Sequence, residues 1–516
     1  MKTMTKRAFA IAGVLALGLS AVKAQSDGAL LDALVKKGVL SDQEAEDIPA
    51  TEAKDYSTTA AGKLSLSDHI TALKLYGDAR LRYDYIDENP QNSAFNAANN
   101  NASGNQRYRY RIRVGADYTF TDNFKAGFEL ESSTAADSAN QSFGNGFSKY
   151  PINVGLIYLQ WKPVDWLVLT GGKQKNPLYT TDLVWDPDIN PEGGSEVASW
   201  TFPLDFSSPA PARDPKDAKA ISAPVESGPS DMSLSVGLTA GQFIYADNGE
   251  NSGDSISGGG AGSANVDNTD VWMFVEQIPV QFNFNKTTFV KVAPGITTYM
   301  GGGNTNISTS LGSAGSNTNT GTLIFGAGTA IPYQNVHATD GLNIFTAPGE
   351  FDFKFAELPF KLYWDFALNL QGGDRTQQVY LFQDNNAPNA FAPQNRDLDD
   401  NLAWMAGLQV GQNKKKGDWS IKADFRQVGL SSIDPNLNDS DWGDSYLNQQ
   451  GIKVQSIYNF TDFLTGSISY YNTWNYKSNL FAATAPGASG SSSAQVYALA
   501  PANATQRVQV DMIWKF

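Results

Sequence analysis

The chain lacks cysteine and holds only two histidines among its 516 residues. Disulfide staples, thiolate nucleophiles and cysteine metal sites are therefore excluded. His69 and His337 accompany neither a nucleophile elbow nor a metal-ligand spacing. Also missing is a long apolar run. The stretch from Ala8 to Leu19 is too short for a membrane helix, which needs roughly 20 residues. Nothing later in the chain is long and apolar enough either. A cationic excess is absent too: 38 Lys and Arg face 53 Asp and Glu, a net charge of -15. That balance excludes a nucleic-acid partner. No enzyme, cofactor or metal is expected. A hydrolase would need Ser or Asp beside one of the two histidines.

What is present begins with a targeting pattern. Lys2, Lys6 and Arg7 make a basic n-region, and Val22-Lys23-Ala24 fits a small-residue cleavage site. Residues 1–24 read as a secretory signal. Residues 25–69 read as a short helical periplasmic segment and linker. Leu30, Leu31, Leu34 and Val35 recur at helical spacing, and Ser41 with Glu44 forms a capping box.

From about residue 70 the period changes to two. Tyr108, Tyr110, Ile112, Val114, Ala116, Tyr118 and Phe120 form one face. Arg107, Arg109, Arg111, Arg113, Gly115, Asp117 and Thr119 form the other. The same alternation marks 73–85, 232–239, 360–371, 419–426 and 507–516. Such segments are strands with one apolar and one polar face. Many reach ten residues, the length of a tilted membrane crossing. Connections alternate short and long, as between periplasmic turns and extracellular loops. Aromatic content is 12 %, enough for two interfacial girdles. The fold class expected for residues 70–516 is all-β: a closed antiparallel transmembrane β-barrel of about 16 strands, with 14 to 18 compatible with the pattern. The weak point is residues 176–230, where a strand near 195–205 requires a long, Pro-rich turn.

A lumen this wide admits water, so small polar solutes can diffuse through it. Selectivity then rests on lumen charges. The candidates are Arg80, Arg82, Arg107, Arg109, Arg111 and Arg113, with Lys173 and Lys175. Two readings stand. Unpaired, the column attracts anions. Paired with Asp78, Asp84, Glu129 and Glu131, it stiffens the wall instead. The loop after Asn176, with Trp185, Asp186, Asp188 and Glu192, is the candidate for an inward-folded constriction, the alternative being an ordinary extracellular loop. The acid-rich stretches 396–401 and 434–444 miss the EF-hand pattern and read as solvated loops.

Three motifs carry a resemblance: Lys37-Gly38-Val39-Leu40 with Glu44-Ala45, Gly172-Lys173-Gln174-Lys175-Asn176-Pro177, and Val184 to Gly193. Through them nearly the whole chain resembles the putative porins, similar in architecture to anion-selective porins of Gram-negative outer membranes. The terminal strand ending in Phe516 is similar to the closing strand of such barrels. The resemblance implies a passive diffusion pore in the outer membrane, inserted by the barrel-assembly machinery through its C-terminal strand. Its expected partners are outer-membrane lipid, small hydrophilic solutes and, in a homo-oligomer, further copies arranged as a trimer. A structural or adhesive barrel with long Asn/Ser/Gly-rich loops is the alternative function.

Overall fold

The computed structural model describes residues 69–90, 104–204, 232–246, 271–300, 341–373, 400–429, 431–445, 447–477 and 502–516. The proposed signal, helical segment and His337 lie outside them. All described residues except His69 belong to one compact unit, residues 70–516.

Sixteen staves make the wall. They are β1 (Ala72–Pro90), β2 (Asn105–Thr121), β3 (Phe124–Ser132, resumed at Gln141–Ser142), β4 (Ile152–Val164), β5 (Leu167–Lys173), β6 (Glu192–Pro203) and β7 (Ser233–Ala246). Three interrupted staves follow: β8 (Val271–Gln277 and Val280–Asn285), β9 (Thr288–Val292 and Gly295–Met300) and β10 (Asn343–Thr346 and Gly349–Phe355). The last six are β11 (Leu358–Asn369), β12 (Leu402–Gly411), β13 (Trp419–Val428), β14 (Gln449–Asn459), β15 (Leu464–Asn475) and β16 (Ala502–Lys515).

Each stave pairs antiparallel with the next, and β16 pairs with β1 from Asp78↔Lys515 to Pro90↔Ala502. The sheet is closed and has no edge, which is what a β-structure in lipid requires. The doubtful β6–β7 connection is settled by register: Pro203 pairs with Ser233, so this long segment starts and ends on the short-turn side. Phe516 finishes the closure. Its N–H donates to Gly77 O at 3.1 Å and its C=O accepts from Gly77 N at 3.0 Å. Its ring covers the space where Gly77 has no side chain.

Burial is inverted relative to a water-soluble protein. Leu75 (68 %), Ile157 (61 %) and Ile468 (56 %) are exposed, whereas Asp84 (0 %) and Arg426 (1 %) are buried. Apolar residues face outward and charges face the lumen, as lipid on one side and water on the other demand. Trp161, Trp166, Trp200, Phe355, Trp419, Phe463 and Trp514 crowd the turn-side ends of the outer surface. No helix among the described residues is long and apolar enough to cross a membrane.

Pro279, Pro294 and Pro348 interrupt β8, β9 and β10 at neighbouring positions. Proline cannot donate to the ladder. Each proline carbonyl still accepts: Pro279 O from Gly237 N (2.7 Å), Pro294 O from Ile278 N (2.9 Å) and Pro348 O from Ala293 N (2.9 Å). The ladder therefore shifts at this tier without opening.

Candidate functional site

Among the described residues, three non-strand segments enter the lumen. The first is residues 133–140, an excursion from β3. Ser132 pins it by donating its hydroxyl to Ala139 O at 2.8 Å while accepting from Ile112 N at 3.0 Å. The second is residues 174–191, between β5 and β6. The third is residues 431–448, between β13 and β14. It contains the acid-rich stretch expected to be a solvated loop. That expectation is corrected: Asp434, Asn436, Asn438, Asp439 and Trp442 are buried inside the barrel. Hydrophobic residues within and beside the acidic run, Ile433, Leu437, Trp442 and Leu447, draw it inward.

The second segment crosses the lumen on four anchors. Gln277 of β8 holds Tyr179 in both directions: Oε1 accepts from Tyr179 N and Nε2 donates to Tyr179 O, each at 2.8 Å. Its Nε2 also donates to Ala293 O at 3.2 Å, a carbonyl beside the proline tier. Thr181 donates to Asp365 of β11 at 2.6 Å. Asp182 pairs with Lys453 (2.7 Å) and Arg426 (3.2 Å) on β14 and β13. Asp188 lies 3.6 Å from Arg111 and 3.7 Å from Arg113 on β2.

The third segment clasps the second. Asp186 N donates to Leu437 O at 2.5 Å, and Asp439 N donates to Asp182 O at 3.1 Å. The Asp186 carboxylate accepts from Ser440 N at 3.1 Å and from the Ser440 hydroxyl at 3.2 Å. Desolvation, with Asp439 and Asp188 alongside, pushes the Asp186 carboxyl well above the usual carboxylate range. Desolvation acts the same way on Asp182, but Lys453, Lys422 and Arg426 outweigh it and hold that carboxyl well below the range.

These loops fill one arc of the lumen with a hydrophobic core. Leu183, Ile433, Trp442 and Leu447 pack with Ile344, Ala367, Ala403 and Met405. Trp185, Ile189 and Leu437 pack with Phe243, Met273 and Val275. Among the described residues, two chambers lie in the polar arc. One, of about 380 Å³, is lined by Arg80, Arg82, Arg111, Arg113, Lys422 and Lys453, and by Asp137, Asp182, Asp186, Asp188, Asp439 and Asp441. All six cations stand on strands and all six acids on inward loops. The other, of about 710 Å³, is lined by Lys74, Tyr76, Asp78, Lys175, Tyr179 and Phe516 among others. Arg113, Asp182 and Pro187 border both chambers.

Of the arginine column, four members have carboxylate partners. Arg107 pairs with Asp84 (2.5 Å), Arg111 and Arg113 with Asp78 (2.6 and 2.7 Å), and Arg82 with Asp511 (2.7 Å) and Asp441 (2.9 Å). Arg80 instead donates to the amide oxygen of Asn140, and Arg109 to Ser138 and Asn140 O. Among the described residues neither has a carboxylate within ion-pair distance, and neither Glu129 nor Glu131 pairs with an arginine. Lys173 pairs with Glu192 at 2.6 Å and lines neither chamber. Lys175 stands over the Tyr76 ring at 5.4 Å. Trp185 is core, its indole N–H donating to Ile189 O at 3.1 Å. Glu192 opens β6, outside the loop where the sequence reading put it.

Gln277, Asp365, Arg426, Lys453 and Arg507 were missed. Asp365, Arg426 and Arg507 were at least visible as charges on the polar face of alternating strands. Gln277 ends Val271–Gln277, whose first five residues are apolar on both faces and give no sign of which face is the lumen's.

A family model described as putative porin matches residues 78–484. No curated protein sequence matches. Among solved structures, Salmonella typhi OmpF in complex with daunomycin is 9 % identical with a TM-score of 0.41, covering 87 % of this chain and 99 % of its own. The outer membrane channel DcaP of Acinetobacter baumannii is 11 % identical with a TM-score of 0.38, covering 88 % and 99 %.

Proposed function

We propose a function from one premise: this chain belongs to the putative porin family. Family and fold are those of an outer-membrane channel rather than an enzyme. Our reading is that small hydrophilic solutes or ions diffuse passively along the polar arc, with a preference for anions. Trp185 packs the crossing segment against the apolar arc, while Asp186 and Asp188 narrow the passage. The observation that carries the reading is the segregation of charge: cations are fixed on the wall, and the acids opposing them are borne by loops. Arg80 and Arg109, bonded to neutral partners, leave positive potential in the lumen that focuses small anions. We further propose a periplasmic N-terminal segment, insertion by the barrel-assembly machinery and a trimeric assembly.

Planar-bilayer recording tests this. Purified protein is expected to give discrete conductance steps, and a salt gradient to give a reversal potential of the anion-preferring sign. Absence of steps, with no solute uptake into liposomes, would leave the structural or adhesive alternative.

A further inference from the structure

Arg82 of β1 and Arg507 of β16 stand at the seam where the barrel closes. Each already has a carboxylate in the wall. Arg82 grips Asp511 through Nε (2.7 Å) and Nη2 (2.9 Å). Arg507 grips Asp84 through Nε and Nη2, both at 2.9 Å. A two-point grip of this kind fixes the plane of a guanidinium. The third segment is therefore not needed to orient either side chain. Asp441 meets both forks, at the remaining Nη1 of Arg82 and at the Nη2 of Arg507 that it shares with Asp84. Its Oδ2 lies 2.9 Å from Arg82 Nη1, and its Oδ1 lies 2.9 Å from Arg507 Nη2. Arg507 Nη1 also donates to Ser440 O and Asp441 O, both at 3.3 Å.

We propose that Arg82 and Arg507 form a preformed oxyanion-binding site for a solute carboxylate or phosphate, and that Asp441 is a tethered occupant of it. One oxygen of Asp441 goes to each arginine, the geometry a free carboxylate or two phosphate oxygens would adopt. The charge balance agrees. From the wall, Arg82, Arg107 and Arg507 face Asp84 and Asp511, leaving one positive charge, the one that Asp441 offsets. The chamber beside it gives a small solute access to Arg82. Being part of the chain, Asp441 competes at high local concentration. The site in the intact protein is therefore masked, and a solute anion binds only as Asp441 yields. The proposal rests on the channel reading for the source of the anion, a solute in the passage.

The test is the full-length barrel carrying Asp441→Gly, which removes the occupant and leaves its space. Thermal unfolding in detergent is followed in sodium acetate, sodium phosphate and sodium chloride at equal ionic strength. A ligand that binds only the folded state raises the midpoint saturably. Acetate or phosphate is expected to do so for Asp441→Gly at a concentration at least about tenfold lower than for the wild type, because both arginine contacts of Asp441 are then open to the solute. Whichever anion acts identifies the solute class. An equal response to all three salts overturns the proposal. If Asp441→Gly does not fold in chloride, refolding yield is read instead. Recovery in acetate or phosphate supports the site, and no recovery in either overturns it. Neither readout needs conduction. Their failure is thus separate from failure of the channel reading, which wild-type conductance steps decide.

Discussion

Gln277→Met keeps the length and burial of the side chain and deletes every hydrogen bond it makes. Gln277 exchanges two bonds of 2.8 Å with the backbone of Tyr179 and gives a third, of 3.2 Å, to Ala293 O. A neutral bond contributes about 1 kcal/mol net, and an orphaned buried group costs more. Tyr179 lines the larger chamber, so water can replace its lost partners. Two of these bonds hold the crossing segment, so we estimate about 2 kcal/mol of lost docking at this end of it. That changes the ratio of docked to released conformers roughly 30-fold. The far anchors, Thr181 to Asp365 and Asp182 to Lys453, are untouched. The segment should loosen near Tyr179 without leaving the lumen. Single-channel recording is expected to show added substates and open-channel noise at fixed voltage, while the thermal midpoint of the barrel changes little. Gln277→Glu should be noisier still. It retains an acceptor for Tyr179 N but turns a negative oxygen toward two carbonyls. Wild-type current levels and noise in both variants would refute the reasoning.

Arg80→Gln and Arg109→Gln each remove a wall cation whose partners are neutral. Each should lower the anion-to-cation permeability ratio roughly twofold, read from reversal potentials in asymmetric salt; an unchanged ratio rejects their role. Acid should release the loops late. Desolvation opposes ionisation of Asp441, but Arg507 and Arg82 hold its carboxyl well below the usual range, as Lys453 holds that of Asp182. Both folded values lie below the unfolded ones. Their contribution is thus complete above the ordinary carboxylate range near pH ~4 and is lost as pH falls through the lower folded values. The two ion-paired contacts should hold from neutrality to about pH 4 and loosen below it, read as open-channel noise in recordings over a pH series; Asp186, whose raised carboxyl takes its proton first, favours the folded clasp as pH falls and does not release it.

Much of the wall was legible because its cause is local. The face switch at every residue in Arg107–Phe120 follows from strand geometry alone, and the structure extends it to Asn105–Thr121. The final strand was equally plain, although Ile513 puts an apolar residue on its polar face; Ile513 pairs with Arg80 and Thr465 and stays within the register. The inward course of residues 174–191 was considered from their length, Trp185 and the prolines. The inward course of 431–448 was not. Its acids looked like those of a solvated loop, because the cations that receive them are far away in the chain. Asp441 is 359 residues from Arg82, and Asp182 is 271 from Lys453. No local pattern encodes such meetings. The proline tier was visible residue by residue, but its alignment across β8, β9 and β10 exists only once register is known.

The packing of the inward segments against β7 to β12 makes the bore eccentric and builds the lumen from two materials. Substitutions at Phe243, Met273, Ala367 or Met405 will register as loss of stability, as in the interior of any water-soluble protein. Substitutions at Arg80, Lys422 or Gln455 will register as altered current through a barrel that stands as before. A survey of lumen-facing positions should therefore divide by angle around the axis, and not by depth along it.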